Sequence, residues 1–391
     1  MRWIRRLFVL IIVLAVVGLA LIWTVVPGWI ESGRNTVAEH DPYPVSEEAQ
    51  ALHDSIVVGD WHADSLLWQR DLLKRSERGQ VDLPRLQEGG VALQVFTAVT
   101  KSPMGQNYDE NSAEALDNIT LLAFAQLWPI RTWDSLFERA MYQARKLQDF
   151  AERSDGAIRI VRSEDDLDAV LEARENGEEV LGALLGIEGS HPLEGNLANI
   201  DRLMEAGHRI FGLQHFFDNQ LGGSLHGESN EGLSDFGRAV VRDLMDRPVI
   251  IDLAHSSPQV VEDVLDMTDF PLIVSHTGLH SHCATKRNLP DELLRRVADT
   301  GGVIGLGYWA EAACDDITPA GIAQMAVAAV EVLGDDHVSL GSDFDGSVGT
   351  AFDTSELPAL TSAMLEAGLS EEQVTKIMGG NMVRVLRARL D

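Results

Sequence analysis

Five side chains able to bind a metal ion stand at one kind of place in this chain, at or just past the end of a short apolar run. His62 and Asp64 follow the run Ser55–Asp60 (SIVVGD) at a spacing of two. In an extended chain residues i and i+2 point the same way, so an imidazole and a carboxylate there can share one cation. Glu188 closes the run Leu181–Glu188 (LGALLGIE), where a carboxylate must be paired or metal-bound to offset its desolvation. His255 ends Val249–His255 (VIIDLAH), and His276 ends Leu272–His276 (LIVSH). Taken singly, these residues also read as a polar turn, a salt bridge and two hydrogen-bonded core histidines. Taken together they are three imidazoles and two carboxylates, enough for two adjacent divalent ions if one carboxylate bridges. Zinc suits this N/O donor set without redox chemistry. The spacing of His276 and His280 imitates a helical metal site, but Gly278 interrupts it, so His280 and His282 read as loop residues.

Elements must bring these five together. Four further runs, Val91–Phe96, Ile210–His215, Val303–Leu306 and Val338–Asp343, raise the number of strand-like segments to eight. Near-continuous apolar strands separated by helix-length stretches such as Asp291–Asp299 and Pro319–Leu333 form the pattern of a parallel α/β sheet. Eight of them predict a closed (β/α)8, TIM-like barrel, whose active site lies at the carboxyl ends of its strands. That is where the five residues fall. Ile158–Val161 reads as a weak additional edge strand, and residues 98–154 as a mostly helical insertion.

The N-terminus carries a second signal. Leu7–Val26 is a 20-residue apolar stretch broken only by Gly18 and Thr24. As a helix it would be ~30 Å long, the thickness of a bilayer's hydrocarbon core. Arg2, Arg5 and Arg6 precede it, which holds residues 1–6 in the cytoplasm and sends the rest across. The alternative, a cleaved signal peptide, normally has an apolar region of ~7–15 residues and a small-residue exit, whereas this run is longer and leaves through Val25-Val26-Pro27-Gly28. The expected organisation is therefore an anchor at 7–26, a linker at 27–46 and an extracytoplasmic barrel at 47–391, periplasmic or extracellular.

Composition narrows the partners. The chain has 391 residues with 31 Lys and Arg against 61 Asp and Glu, a formal charge of −30. Residues 1–34 hold four of the Arg and one Glu, which leaves −33 on the remainder. There is no basic surface to neutralise phosphates, so nucleic acid is not an expected partner. With only Cys283 and Cys314, neither a disulfide scaffold nor a Cys-rich metal site is available. Their pairing is left open by the sequence, and no disulfide essential for folding is expected.

The pieces Gly59-Asp60-Trp61-His62-Ala63-Asp64, Gly186-Ile187-Glu188-Gly189, Asp252-Leu253-Ala254-His255-Ser256, Ser275-His276, Lys286-Arg287-Asn288-Leu289-Pro290-Asp291 and Ser342-Asp343-Phe344-Asp345-Gly346 extend in order along the chain. In these the sequence resembles the membrane (renal) dipeptidase family of zinc metallopeptidases, within the amidohydrolase superfamily. The resemblance implies two zinc ions, with His62 and Asp64 on one, His255 and His276 on the other and Glu188 bridging. It further implies a substrate-contacting His215, an Arg287 that binds the substrate carboxylate, and Asp343 as the acid/base. Ala63 stands where the mammalian enzymes have Asn, and residues 98–154 are long for the family.

The physical roles agree with that pattern. A water activated between two zinc ions can attack an amide carbonyl, with an acid/base taking its proton and returning it to the leaving amine. His215 could donate to the oxyanion, and Arg287 offers a planar fork for a carboxylate. The expected function is hydrolysis of dipeptides by a membrane-anchored enzyme. Two alternatives are a related amidohydrolase acting on N-acyl amino acids or β-lactam-like amides, and an inactive metal-bound binding protein. Nothing in the sequence sets the oligomeric state, a homodimer included.

Overall fold

Runs such as VALQVF and LGALLGIE have no polar face, so they are stable only as strands covered on both sides. A computed structural model, which describes residues 2–314 and 316–391, provides that cover. Among the described residues nine strands form: β1 (Val58–Ala63), β2 (Val91–Val99), β3 (Ile158–Ile160), β4 (Leu181–Glu188), β5 (His208–Gly212), β6 (Ile250–Asp252), β7 (Ile273–Thr277), β8 (Val303–Leu306) and β9 (Val338–Leu340). The sheet runs β1-β2-β4-β5-β6-β7-β8-β9, parallel at every step, and β3 pairs with β4 outside that path. Beyond the last ladder, Ala63 bridges Phe344 and the Asp64 amide donates to the Phe344 carbonyl at 2.9 Å, bringing β1 back to the segment after β9. The result is a nearly closed (β/α)8 barrel.

Helices cover the outside. Asp291–Asp299 and Pro319–Leu333 are helical over the predicted residues, the second capped by Thr318, whose hydroxyl accepts from the Gly321 amide. Trp61 is fully buried between the barrel and the C-terminal helix Asn381–Arg389, sharing a cluster with Met382, Val385 and Leu386. Around β7 the strands approach too closely for side chains. A Cβ on Gly305 or Gly341 would lie within 2.0 Å of the Ser275 carbonyl oxygen, next to His276.

Several strands differ in extent from the pattern of the sequence. β1 begins at Val58, since Ser55 ends the helix Glu47–Ser55, and His62 therefore lies within the strand. β6 ends at Asp252 and β9 at Leu340, before the apolar runs do. The reason is local: His255 (φ 62°) and Asp343 (φ 59°) lie in the left-handed region, which a strand cannot hold. Leaving the ladder turns both side chains towards the barrel mouth.

Residues 98–154 contain the helices Asn118–Ala125 and Leu136–Arg153, joined by a short turn of helix. The buried Arg139 guanidinium organises them, donating to the carbonyls of Thr132 at 2.6 Å and Thr100 at 2.7 Å and to the Thr120 hydroxyl at 2.7 Å. At the N-terminus one helix runs Arg2–Thr24 and a second Val26–Ser32. No residue of the first is buried, and over an 18-residue window of this helical stretch mean hydropathy reaches 3.1.

The structure joins Cys283 and Cys314 in a disulfide with Cα atoms 5.4 Å apart. It ties the loop after β7 to the short helix Ala310–Ala313 across a separation of 31 residues. A loop of that size restricts the unfolded chain by roughly 3–4 kcal/mol in the chain-entropy model. The Cys283→Ala/Cys314→Ala variant should therefore fold, with Tm lowered by several degrees in a thermal melt. An unchanged Tm would show that the bridge adds no stability.

Candidate functional site

Carboxyl ends of β1, β4 and β7, together with the turns after β6 and β9, converge on one point. His62 comes from inside β1, Asp64 from just past it, Glu188 from the end of β4 and His276 from β7. His255 and Asp343 reach the same place from their left-handed turns. Glu188 Oε1 lies 3.2 Å from His255 Nε2, 3.5 Å from His276 Nε2 and 3.5 Å from His62 Nε2. His62 Nε2 is also 3.5 Å from Asp64 Oδ1 and 3.7 Å from Asp343 Oδ1. The Nε2 atoms of His255 and His276 face each other at 2.9 Å. All five residues expected to bind metal are brought together, with Asp343 and His215 beside them. His280 and His282 are exposed on a loop.

The spacing and chemistry of these donors fit a divalent metal. Two ligands ~2.1 Å from a tetrahedral zinc ion stand ~3.4 Å apart, and the separations around Glu188 fall at 3.2–3.5 Å. His62, Asp64 and Glu188 offer ligand atoms within 4.8 Å of one another, as do Glu188, His215 and His255. Two buried polar atoms here lack a hydrogen-bond partner, Glu188 Oε2 and His255 Nδ1. His215 Nε2 lies 3.2 Å from Glu188 Oε2, near but not aligned for a hydrogen bond.

Electrostatics point the same way. Burial raises the Glu188 pKa well above the ordinary range, and the Asp64 charge adds to it. Burial likewise pushes Asp343 up to about 8, against the opposing pull of His62. Burial would lower His62, but the charges of Glu188, Asp64 and Asp343 outweigh it and carry the ring up to about 10. His255 and His276 are held well below 6.5, chiefly by burial, and His215 is lowered to about 4. These three rings are thereby kept neutral, the form that binds metal. A carboxylate cluster whose charged form is disfavoured, beside neutral imidazoles, is a site short of positive charge.

A second layer of buried acids fixes the first. Asp252 accepts from the Ser275 hydroxyl at 2.7 Å and from the amides of Ala254 and Ser275, coupling β6 to β7 where the ladder is thinnest. Asp60 accepts from the amides of His62 and Ser342, both at 2.9 Å, coupling β1 to the turn that carries Asp343. The Thr97 hydroxyl donates to Asp64. These partners were not singled out in the sequence, although Asp60 and Asp252 stand two and three residues before predicted ligands.

Above this floor opens a cavity of about 710 Å³ whose lining includes Asp64, Glu188, His215, His255, Arg287 and Asp343. Arg287 is 1% exposed and donates to the His276 carbonyl at 2.6 Å, with its Nε unpaired. Among the described residues no carboxylate lies within 4.0 Å of it, Asp291 included; Asp291 instead accepts from the Ser281 amide at 3.2 Å. A buried guanidinium without an anion is costly unless a ligand supplies one. His215 Nδ1 faces the Lys101 carbonyl at 3.2 Å. A carbonyl only accepts, so Nδ1 carries the proton and Nε2 of the neutral ring presents a lone pair to the cavity. Tyr108 also lines the cavity, and His226 stacks on Phe216 at 5.0 Å between ring centroids. Neither has a local sequence signal, because long loops bring them in.

The pattern of the family described as Membrane dipeptidase (Peptidase family M19) matches residues 46–390. The dipeptidase tcpJ of Claviceps purpurea is 31% identical over 319 residues, 79% of this chain and 69% of that protein. Among solved structures, the probable dipeptidase PvdM from Pseudomonas aeruginosa superposes with a TM-score of 0.72 at 19% identity, over 88% of this chain and 98% of that one. A metallo peptidase from Rhodobacter sphaeroides, liganded with a phosphinate mimic of the dipeptide L-Ala-D-Ala, gives 0.68 at 24% identity over 85% and 99%.

Metal removal should be visible in stability. A ligand that binds only the folded state at a thousandfold excess over its Kd adds about 4 kcal/mol. Chelator-stripped protein should therefore melt lower, with zinc restoring Tm in wild type and not in Glu188→Ala. Equal melting of stripped and zinc-treated wild type would mean that the cluster satisfies itself with protons.

Proposed function

From membership of the membrane dipeptidase family, peptidase family M19, to which this chain belongs, we infer that it is a membrane-anchored enzyme hydrolysing the amide bond of dipeptides at a pair of zinc ions. The observation that carries this reading is the Glu188 carboxylate, met by three imidazole nitrogens at 3.2–3.5 Å. His62 and Asp64 would hold one ion, His255 and His276 the other, with Glu188 shared. Ions so bound would supply Lewis acidity and a water that loses its proton near neutral pH.

The chain's own residues do the rest. Asp343, buried in the lining of the cavity, takes a proton from the attacking water and returns it to the leaving amine. Arg287 pairs with the free carboxylate of the leaving residue, a contact available only when the scissile amide lies one residue from the C-terminus. This favours dipeptides over longer chains. His215 contacts the substrate from the cavity wall, where its neutral ring, protonated at Nδ1, presents the Nε2 lone pair as a hydrogen-bond acceptor that orients the substrate. A dipeptide mimic bound to the Rhodobacter sphaeroides peptidase supports the substrate class.

Residues 7–26 anchor the enzyme, residues 1–6 remain cytoplasmic, and the barrel of 47–391 with its insertion at 98–154 works outside. Arg2, Arg5 and Arg6 support that orientation. A disulfide is at home in an oxidising compartment, which supports it too.

Zinc-loaded full chain should hydrolyse members of a dipeptide library and leave tripeptides largely intact; activity on no dipeptide would refute the reading. Asp343→Asn should keep its metal by elemental analysis and lose ~10²–10⁴ in kcat. Metal loss in that variant would make Asp343 a ligand first. Arg287→Met should lower kcat/KM for dipeptides while changing the already slow cleavage of dipeptide amides little. Equal harm to both substrates would assign Arg287 to loop support.

A further inference from the structure

The catalytic cavity does not end at the barrel. Its outer wall includes Ile22, Val26 and Ile30 from the N-terminal helices, facing Leu121, Leu122 and Phe124 of the helix Asn118–Ala125. The floor is charged, and this side of the wall is apolar apart from Arg34 and Asn118. A cavity of about 710 Å³ is also large for a small dipeptide: pockets of ~300–1,000 Å³ hold drug-sized ligands, against on the order of ten heavy atoms in the simplest dipeptides.

The position of this wall relative to a bilayer follows from helix geometry. The apolar span ends at Val26. At 1.5 Å per residue Trp29 stands ~4.5 Å beyond that end and Glu31 ~7.5 Å, within or at the edge of a headgroup layer ~5–7 Å deep. Trp29 is 74% exposed, as befits a tryptophan at the interface. Glu31 is 1% exposed and tied to the barrel: its carboxylate accepts from Arg70 Nε at 2.5 Å and from Arg78 Nε at 2.7 Å. Arg70 also pairs with Asp345, two residues beyond Asp343. The mouth of the barrel is thus fastened to the end of the span. On the other side of the cavity, the Phe124 ring packs on Trp23 with centroids 6.2 Å apart, so that helix stands at the depth of residues inside the span.

Exposed apolar residues gather at the same place. Beyond residue 25, eight large hydrophobic side chains are exposed among the described residues, and five of them, Met104, Leu116, Leu121, Leu127 and Ile130, belong to the insertion around the mouth. Ile130 is 75% exposed. With −33 on residues 35–391, attraction to anionic lipid cannot explain a membrane contact here, whereas apolar burial beside an existing span can.

We propose that the insertion seats the barrel mouth-down in the lipid interface, so that the cavity opens onto the bilayer and takes amphiphilic dipeptides whose alkyl chain lies between the anchor and helix Asn118–Ala125. The substrate part of this inference rests on the dipeptidase reading; the seating does not.

Two measurements on the full chain in phosphatidylcholine vesicles separate them. Both native cysteines are in the disulfide, so Ile130→Cys, Leu127→Cys and, on an exposed remote helix, Glu372→Cys each accept one nitroxide. Labels at 130 and 127 should relax with oxygen as lipid-buried probes do, and the label at 372 with a water-soluble nickel chelate. Aqueous relaxation at 130 and 127 would overturn the seating, as would spin coupling between two copies without lipid contact, which would make the patch a dimer interface. In the second measurement, the zinc-loaded protein is given alanyl-glycine and the same dipeptide with a dodecyl side chain on its first residue. The long-chain substrate should show at least tenfold higher kcat/KM. Leu127→Glu/Ile130→Glu should remove most of that advantage and leave alanyl-glycine hydrolysis unchanged. Equal rates on both substrates overturn the amphiphile claim. Hydrolysis of neither, with labels buried in lipid, refutes the dipeptidase reading and leaves the seating standing.

Discussion

Negative charge held out of water at the centre of the barrel is the constraint on which this structure depends. Asp64 and Glu188 offer ligand atoms within 4.8 Å of each other, and both residues are buried. At that separation two carboxylates repel by about 3–4 kcal/mol at an effective dielectric constant of ~20. The Thr97 hydroxyl donates to Asp64, and the pair is surrounded by His62, whose ring the carboxylates hold in its charged form, and by His255 and His276, kept neutral by burial. A site built this way is stable when cations occupy it, which links metal binding, stability and catalysis through one set of contacts.

The same constraint explains the backbone around it. Six side chains from five separate strands or turns can meet at one point only in a barrel, where successive carboxyl ends face a common axis. His255 and Asp343 accept left-handed conformations to do so, at a cost on the order of 1 kcal/mol or more each. Asp60 and Asp252 offset that strain by bonding the amides of neighbouring strands. Arg287, buried with no anion beside it among the described residues, repeats the logic in the opposite sign. Floor and wall of the cavity each await a ligand of complementary charge.

How much of this could be read beforehand varies with the range of the interaction. The barrel was legible because its strands are local apolar runs, and the gathering of His62, Asp64, Glu188, His255 and His276 because each ends such a run. The extents of β1, β6 and β9 were not, since an apolar run does not record where the ladder stops; Ser55 continues a β-like string yet ends a helix. Contacts between distant segments left no trace. The pairing of Cys283 with Cys314, and of Glu31 with Arg70 and Arg78, depends on loop paths that local pattern does not encode. His215 was legible as a cavity residue, but the proton on its Nδ1 is set by the Lys101 carbonyl, more than a hundred residues away.

Crystallography of the zinc-loaded enzyme, with anomalous data on both sides of the zinc absorption edge, would show whether Glu188 is shared between two ions. Two anomalous peaks are expected, one on each side of the Glu188 carboxylate, the first within bonding distance of His62 and Asp64 and the second of His255 and His276. A single peak, or zinc bound elsewhere with Glu188 satisfied by protonated histidines, would contradict it.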